Sequence, residues 1–98
     1  MKVGWSVDAK RDLADIAEYI ALDNPRAAER MDALLSKAAG RLVDFPRIGR
    51  EGSQPGTREI HPHRHYRIVY TIDGDTIWIE AVVHTSRQWP PVEDQGDA

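Results

Sequence analysis

The 98-residue chain contains no cysteine, which excludes a disulfide scaffold, a thiolate metal site and a cysteine nucleophile. It has no apolar run approaching the roughly 18 residues that a membrane-spanning helix needs. Positive charge is not in excess, because 13 basic side chains face 16 acidic ones and the formal net charge is −3. Nucleic-acid binding by bulk attraction alone is therefore excluded. With no secretory signal pattern behind Met1, these absences predict a small cytoplasmic protein that does not bind a membrane.

The charges that are present are unevenly distributed along the chain. No lysine follows Lys37, whereas residues 41–91 hold seven arginines and all four histidines. Residues 92–98 carry three acids and no periodic pattern. We therefore predict a single domain over residues 1–91 and a disordered acidic tail over residues 92–98.

Apolar side chains recur at helical spacing in two segments of the first half. The first stripe consists of Ala9, Leu13, Ile16 and Ile20, and the second of Ala28, Met31, Leu35, Ala38 and Leu42. Asp12, Asp15 and Glu18 lie off the first stripe, so we expect them to face water. Ser6 or Asp8 can cap the first helix, and the Asp23-Asn24-Pro25 turn separates it from the second. So short a turn predicts an antiparallel helix pair.

The remaining segments alternate with the period of a β-strand. Val3 and Trp5 mark a short N-terminal strand, and residues 58–60 open a second one that Pro62 confines to an edge or a bulge. Residues 66–72 and 75–84 flank Asp73-Gly74, a strong hairpin signal. The predicted fold class is α+β: an N-terminal strand, then an antiparallel two-helix hairpin packed on a mainly antiparallel twisted sheet.

A two-residue turn at Asp73-Gly74 also predicts the register of this hairpin. It places Tyr70 opposite Ile77 and Arg67 opposite Glu80, so that opposite charges face each other across the ladder. The face that receives the helices would then be apolar throughout. Its predicted members are Tyr66, Ile68, Tyr70, Ile72, Ile77, Ile79, Ala81 and Val83.

Three of the histidines, His61, His63 and His65, alternate along one extended segment. Such spacing can hold zinc, but no carboxylate or fourth ligand follows the same pattern. We therefore predict no metal site, and we expect solvated histidines or a pH-sensitive surface there.

Six local phrases, taken in order from about residue 3 to residue 90, resemble the RelE/ParE superfamily of toxins from type II toxin–antitoxin modules. The phrases are Asp12-Leu13-Ala14-Asp15-Ile16 with Tyr19-Ile20, Asn24-Pro25-Arg26-Ala27-Ala28, Pro46-Arg47-Ile48-Gly49-Arg50, Gly56-Thr57-Arg58-Glu59, Tyr66-Arg67-Ile68-Val69-Tyr70, and Val83-His84-Thr85-Ser86-Arg87 before Trp89-Pro90. The resemblance implies the compact toxin fold, no cofactor, and a cognate antitoxin whose C-terminal arm wraps the toxin.

Toxins of this superfamily act in two ways, and the resemblance leaves both open. ParE-like members inhibit DNA gyrase, and the ending from Val82 to Arg87 is more similar to that branch. RelE-like members cut mRNA on the ribosome without a metal. A protein-binding module without toxicity is a further alternative. We favour gyrase inhibition because the chain lacks the strong positive charge usual in ribosome-dependent toxins.

The resemblance assigns candidate residues to each mode. For RNA cleavage, Arg67 matches an arginine that family nucleases use, Glu59 or His84 would be the base, and His84 or Arg87 the acid or the phosphate clamp. Arg58 and Arg64 would support them. The alternative set of late lysines and a C-terminal tyrosine is missing, because no tyrosine follows Tyr70. The candidates for contact with the target or the antitoxin are Arg47, Arg50, His84, Arg87 and Trp89.

Overall fold

The computed structural model describes residues 1–91, so the predicted tail over residues 92–98 lies outside the described residues. The elements in chain order are β1 (Lys2–Trp5), α1 (Val7–Ala21), α2 (Pro25–Arg41), β2 (Arg50–Glu51), β3 (Thr57–His63), β4 (Tyr66–Asp73) and β5 (Thr76–His84). This order confirms the predicted α+β class. None of the helices in this described part is long and apolar enough to cross a bilayer.

Both helices begin at a side-chain cap. Ser6, one of the two candidates, caps α1 by accepting a hydrogen bond from the Ala9 N–H at 3.0 Å. Asn24 accepts from the Ala27 N–H at 3.1 Å, and Pro25 occupies the first turn of α2, where its missing N–H costs nothing. The two helices pack against each other and cover one face of the sheet.

The five strands form one mixed sheet in the order β1-β5-β4-β3-β2. β1 runs parallel to β5, and the other neighbours are antiparallel. The face beneath the helices, called here the helix face, carries the main core. Its largest fully buried side chains are Tyr70, Leu35, Leu42, Ile68, Ile77 and Ile79.

The predicted register of the β4–β5 hairpin is wrong. Asp73 pairs with Thr76, so the turn residues are Gly74 and Asp75 rather than Asp73 and Gly74. Gly74 takes a φ of +60°, which glycine adopts without strain. Tyr70 consequently faces Ile79 instead of Ile77.

A bulge at Glu80 changes which face of the sheet the later residues of β5 occupy. Val69 pairs with Ala81 while Tyr70 pairs with Ile79, so one extra residue stands in β5 between them. Ala81 and Val83 therefore lie on the face away from the helices, called here the open face, and Val82 joins the main core. The prediction that Ala81 and Val83 face the helices is wrong for this reason.

The open face has an apolar cluster of its own. Val69, Ala81 and Val83 are buried there, and Trp89 packs against them. The Ser53 Oγ donates a hydrogen bond to the Trp89 carbonyl at 3.0 Å. The segment after β5 thus crosses the open face and shields part of it.

Candidate functional site

Arg67 and Glu59 form an ion pair at the centre of the open face. Glu59 lies opposite Val69 and Arg67 opposite Val83, so β3 and β4 direct both side chains to the same side. The Arg67 Nε lies 3.3 Å from the Glu59 Oε1. Arg67 is 9% exposed and Glu59 8% exposed, so the pair is withdrawn from bulk water. The predicted pairing of Arg67 with Glu80 is wrong, because Glu80 accepts a hydrogen bond from Thr71 instead.

The other contacts of Arg67 are weak. Its Nη1 lies 3.4 Å from the Thr85 carbonyl, and its Nε is buried without a well-aligned hydrogen bond within residues 1–91. Arg50 approaches the same Glu59 oxygen at 4.0 Å from the exposed side. The carboxylate therefore lies between two guanidinium groups and neutralises part of their charge.

A shallow concavity surrounds this ion pair. The lining side chains that can carry charge are Arg50, Glu51, Glu59, His61, Arg67 and Arg87, and residues 88–91 form one wall. Three arginines against the buried carboxylate of Glu59 and the exposed one of Glu51 leave an excess of one positive charge. Such a surface can meet a phosphate or the carboxylates of a protein.

His84 lies on the other side of the sheet. It pairs with Tyr66, whose side chain packs against the main core. The His84 ring stacks on His65 with 5.6 Å between centroids and meets the edge of Tyr66 at the same distance. Because the Ser86 N–H donates to His84 Nδ1 at 3.1 Å, the neutral ring carries its proton on Nε2. The sheet therefore separates His84 from Arg67.

Arg58 and Arg64 also lie apart from the ion pair. The Arg58 Nη1 donates to the Gly49 carbonyl at 2.7 Å and approaches the Arg47 carbonyl at 3.4 Å. Arg64 is exposed in the turn between β3 and β4. Of the six catalytic candidates, the structure brings together Glu59, Arg67 and Arg87.

The loop that carries Arg47 is fastened to the sheet. The Tyr70 hydroxyl donates to the Pro46 carbonyl at 2.7 Å and accepts from the Gly49 N–H at 3.0 Å. Arg58 holds the same loop from β3. Ile48 is 63% exposed on this fixed loop. No local sequence pattern links Tyr70 to a loop more than 20 residues earlier, so this attachment of the loop could not be predicted.

A second groove runs between α1 and the end of β5, and we call it the α1 groove. Its walls include Asp8, Asp12, Asp15 and Tyr19 from α1, with Tyr66, Val82 and His84 from the sheet. Asp12 does not face water as predicted: its Oδ2 accepts the Val82 N–H at 3.0 Å. Burial raises the pKa of Asp12 above its ordinary value, and the charges of Asp8 and Asp15 add to the rise.

The histidines divide between the two faces. His63 and His65 have ring centroids 5.4 Å apart, whereas His61 lines the open-face concavity. A register shift between Ile60 and His63 separates them. Partial desolvation lowers the pKa of the exposed His65, and the nearby charges of Arg64, His63 and His84 lower it further. Residues 1–91 contain no group of three side chains placed to hold a metal ion.

Comparison with known proteins agrees with the fold and with the phrases in the sequence. The family model of the ParE toxin of the parDE type II toxin–antitoxin system matches residues 3–89. The Y4kP protein of Sinorhizobium fredii is 37% identical over 93% of this chain and 95% of its own. Toxin RelE2 of Caulobacter vibrioides is 33% identical over 88% of this chain and 97% of its own.

A solved structure shows the same fold. A chain of the chromosomal ParDE toxin–antitoxin system from P. aeruginosa superposes with a TM-score of 0.76 at 24% identity, covering 86% of this chain and 95% of that one. The fold and these matches define a toxin of the RelE/ParE superfamily. Within that class, the chain belongs to the ParE toxin family of type II toxin–antitoxin systems.

Proposed function

We propose that this toxin arrests growth by inhibiting DNA gyrase, and that a cognate antitoxin neutralises it. The family match is to ParE toxins, and the ParDE structural match pairs such a toxin with an antitoxin partner. Gyrase is a protein target, so the toxin needs a rigid binding surface rather than an assembled catalytic centre. The separation of Arg67 from His84 by the sheet is the observation that carries this proposal.

Metal-free RNA cleavage makes stricter demands on geometry. A general base must lie within hydrogen-bond reach of the 2′-hydroxyl while cations contact the same phosphate. His84 is bound to Ser86 on the helix face, and the Arg67 charge is balanced by Glu59 on the open face. A phosphate at Arg67 would have to compete with this buried carboxylate. The geometry thus favours protein binding over cleavage.

The proposed gyrase-binding surface is basic and lies on the side of the open face. Arg50 and Arg87 line its concavity, and Trp89 packs beside them. Arg47 does not line it, because its loop is held by Tyr70 and Arg58 from the helix face. Arginine and tryptophan supply the strongest contacts in many protein interfaces. We expect carboxylates of the target to face these arginines.

A supercoiling assay with purified gyrase tests the proposal. The free toxin should inhibit supercoiling or trap cleaved DNA, and the antitoxin should reverse this effect. Arg50→Glu with Arg87→Glu should reduce inhibition at least about tenfold, since two attractive contacts become repulsive. Arg26→Glu on α2, away from the open face, is the matched control. Full gyrase activity at saturating toxin would refute the proposal.

The second candidate is cleavage of ribosome-bound mRNA. It is favoured by the grouping of Glu59, Arg67 and Arg87 in one concavity, and two relatives bear the name RelE. Incubation of the toxin with translating ribosomes, followed by mapping of transcript ends, tests it. Cut mRNA that disappears in Arg67→Ala and in Arg87→Ala, at two residues of that concavity, would establish the nuclease. If the toxin neither inhibits gyrase nor cleaves mRNA, and if growth is unaffected, the remaining alternative is a protein-binding module without toxicity.

A further inference from the structure

The strand β1 forms one edge of the five-stranded sheet. Its neighbour is β5, and within residues 1–91 no strand lies on its outer side. None of the residues of β1 is fully buried, although Val3 and Trp5 pack against the main core. An unpaired edge of this kind is a template for pairing with another chain.

The backbone groups that point outward from β1 can be identified. The N–H groups of Lys2 and Ser6 donate to carbonyls at the two ends of the β1–β5 pairing, at 2.8 and 3.0 Å, so both point inward. The N–H and C=O of one residue point to the same side of a strand, and the direction recurs at every second residue. The N–H and C=O groups of Val3 and Trp5 therefore point outward.

Gly4 lies between these two residues, beneath the indole of Trp78. It pairs with Trp78, which lies on the open face because Ile77 and Ile79 belong to the main core. A Cβ at Gly4 would lie 2.6 Å from the Trp78 Cζ3 and 2.9 Å from its Cε3. The exposed indole therefore lies over the edge strand itself. A glycine inside a strand often marks a place where a ligand or another backbone approaches closely.

Two further apolar side chains are exposed at the ends of β1. Met1 precedes the strand, and Val7 follows it at the start of α1 and is 70% exposed. Charges of opposite sign lie at the same two ends. Lys2 is exposed at the first end, and Asp8, whose exposed carboxylate lies 3.6 Å from Arg11, is at the second. The edge is thus complementary to a reversed copy of itself.

We propose that a second copy of this chain pairs with the outer edge of β1, antiparallel and about a two-fold axis at Gly4. Val3 of each copy then lies opposite Trp5 of the other, and each of these two pairs exchanges two backbone hydrogen bonds. The two sheets become one continuous sheet. Because the axis is perpendicular to this sheet, the open faces of both copies lie on the same side.

The same axis brings the exposed apolar groups together. Gly4 faces Gly4 of the other copy as a non-hydrogen-bonded pair, with about 4.5 Å between the two Cα atoms. The two Trp78 rings, each lying over its own Gly4, meet above the axis. Met1 of one copy comes next to Val7 of the other. The dimer therefore covers apolar surface that the single chain leaves in water.

Charge and strand length favour this closed, two-fold arrangement. Lys2 is the only charged residue of β1, and the axis places it opposite the uncharged Ser6, two residues before Asp8. A parallel pairing would bring the two Lys2 side chains together instead. The opposite edge of the sheet is β2, which has two residues, both charged. Growth of the sheet beyond a dimer is therefore disfavoured.

Sedimentation of the purified toxin over a series of concentrations tests the proposal and should show a monomer–dimer equilibrium. Trp78→Lys places like charges at the axis, and Val7→Lys places one beside Lys2 of the other copy. Each should weaken the dimer at least about tenfold. The matched controls are Ile48→Lys, before β2, and Leu22→Lys, at the other end of α1, where exposed apolar residues receive the same change without weakening the dimer.

A toxin that stays monomeric at every concentration would overturn the proposal. A dimer that persists in Trp78→Lys and Val7→Lys, with thermal denaturation showing both variants folded, would overturn it as well.

The amide signals of the ¹⁵N-labelled wild-type toxin give evidence that needs no variant. Those of Val3 and Trp5 should shift as the concentration rises, whereas those of Arg50 and Glu51, on the opposite edge of the sheet, should not. Shifts at Arg50 and Glu51 with none at Val3 and Trp5 would place the interface elsewhere and refute the pairing. Neither measurement uses gyrase or an antitoxin, so this proposal and the proposed function can fail separately.

Discussion

A single ion pair sets the chemistry of the open face. Arg67 and Glu59 are both more than nine-tenths buried, so neither charge is compensated by water if the other is removed. The sequence indicated both residues as candidates but not their partnership. The sequence predicted Glu80 as the partner of Arg67, because a turn at Asp73-Gly74 followed by a ladder without a bulge would place it opposite; the turn lies one residue later and β5 has a bulge.

We expect Glu59→Gln to destabilise the fold by about 3 kcal/mol, since it leaves a buried guanidinium without its counter-charge. Glu51→Gln on β2, where the carboxylate is exposed, should change stability by less than about 0.5 kcal/mol. Urea denaturation of both variants measures the difference. Equal midpoints would show that the Arg67–Glu59 pair does not contribute to the stability of the open face.

Two glycines provide a second test at the scale of single residues. A Cβ at Gly49 would lie 2.7 Å from the Tyr70 hydroxyl and 2.8 Å from the Glu59 carbonyl, whereas one at Gly40 in α2 would meet nothing within 4 Å. Gly49→Ala should therefore destabilise by roughly 1–3 kcal/mol through overpacking. Gly40→Ala should stabilise by about 0.5–1 kcal/mol. Thermal denaturation should shift the two melting temperatures in opposite directions.

At the scale of elements, the end of β3, the start of β4 and the end of β5 lie together and form a pH-sensitive cluster of aromatic rings. The rings of His63, His65, Tyr66 and His84 form a cycle in which each ring has two neighbours, with 5.4–6.0 Å between their centroids. Because the fold lowers the pKa of His65, the folded state binds its proton more weakly than the unfolded chain does. The contribution of His65 to the stability of the fold is therefore present above its ordinary pKa of 6.5, and it is lost as the pH falls below that value.

We expect the wild-type chain to lose stability relative to His65→Ala as the pH falls from about 7 to 5. The loss has this sign because protonation favours the unfolded state. Urea titrations at several pH values measure it, with His61→Ala, whose ring lies on the open face, as the control. A steeper loss in His65→Ala than in the wild type would contradict the lowered pKa.

The molecule as a whole has two apolar layers of unequal size. The larger lies under the helices, and the smaller is covered by Trp89 on the open face. Trp89→Ala should uncover Val69, Ala81 and Val83 and destabilise by roughly 1–3 kcal/mol, less than for a fully buried ring. Increased binding of a hydrophobic dye and a lower melting temperature would report it. Gln88→Ala, at an exposed neighbour, should change neither.

The helices and their order could be predicted because caps and stripes are local features. Ser6 and Asn24 begin the helices where the sequence placed candidate caps. The register of β5 could not be predicted. Ala81, Val82 and Val83 are all apolar, so the pattern does not show which of them face the helices. The role of Asp12 was also missed, because its hydrogen bond joins residues 70 positions apart.

The extra residue at Glu80 also governs how positions in this toxin correspond to those in its relatives. Loss of that one residue would leave a regular ladder and keep every later side chain on its present side of the sheet. A gap of one residue anywhere else in β5 would exchange the two sides for all that follows. An alignment with a relative that lacks the extra residue therefore matches side chains of the same face at His84 only if the gap is placed at position 80.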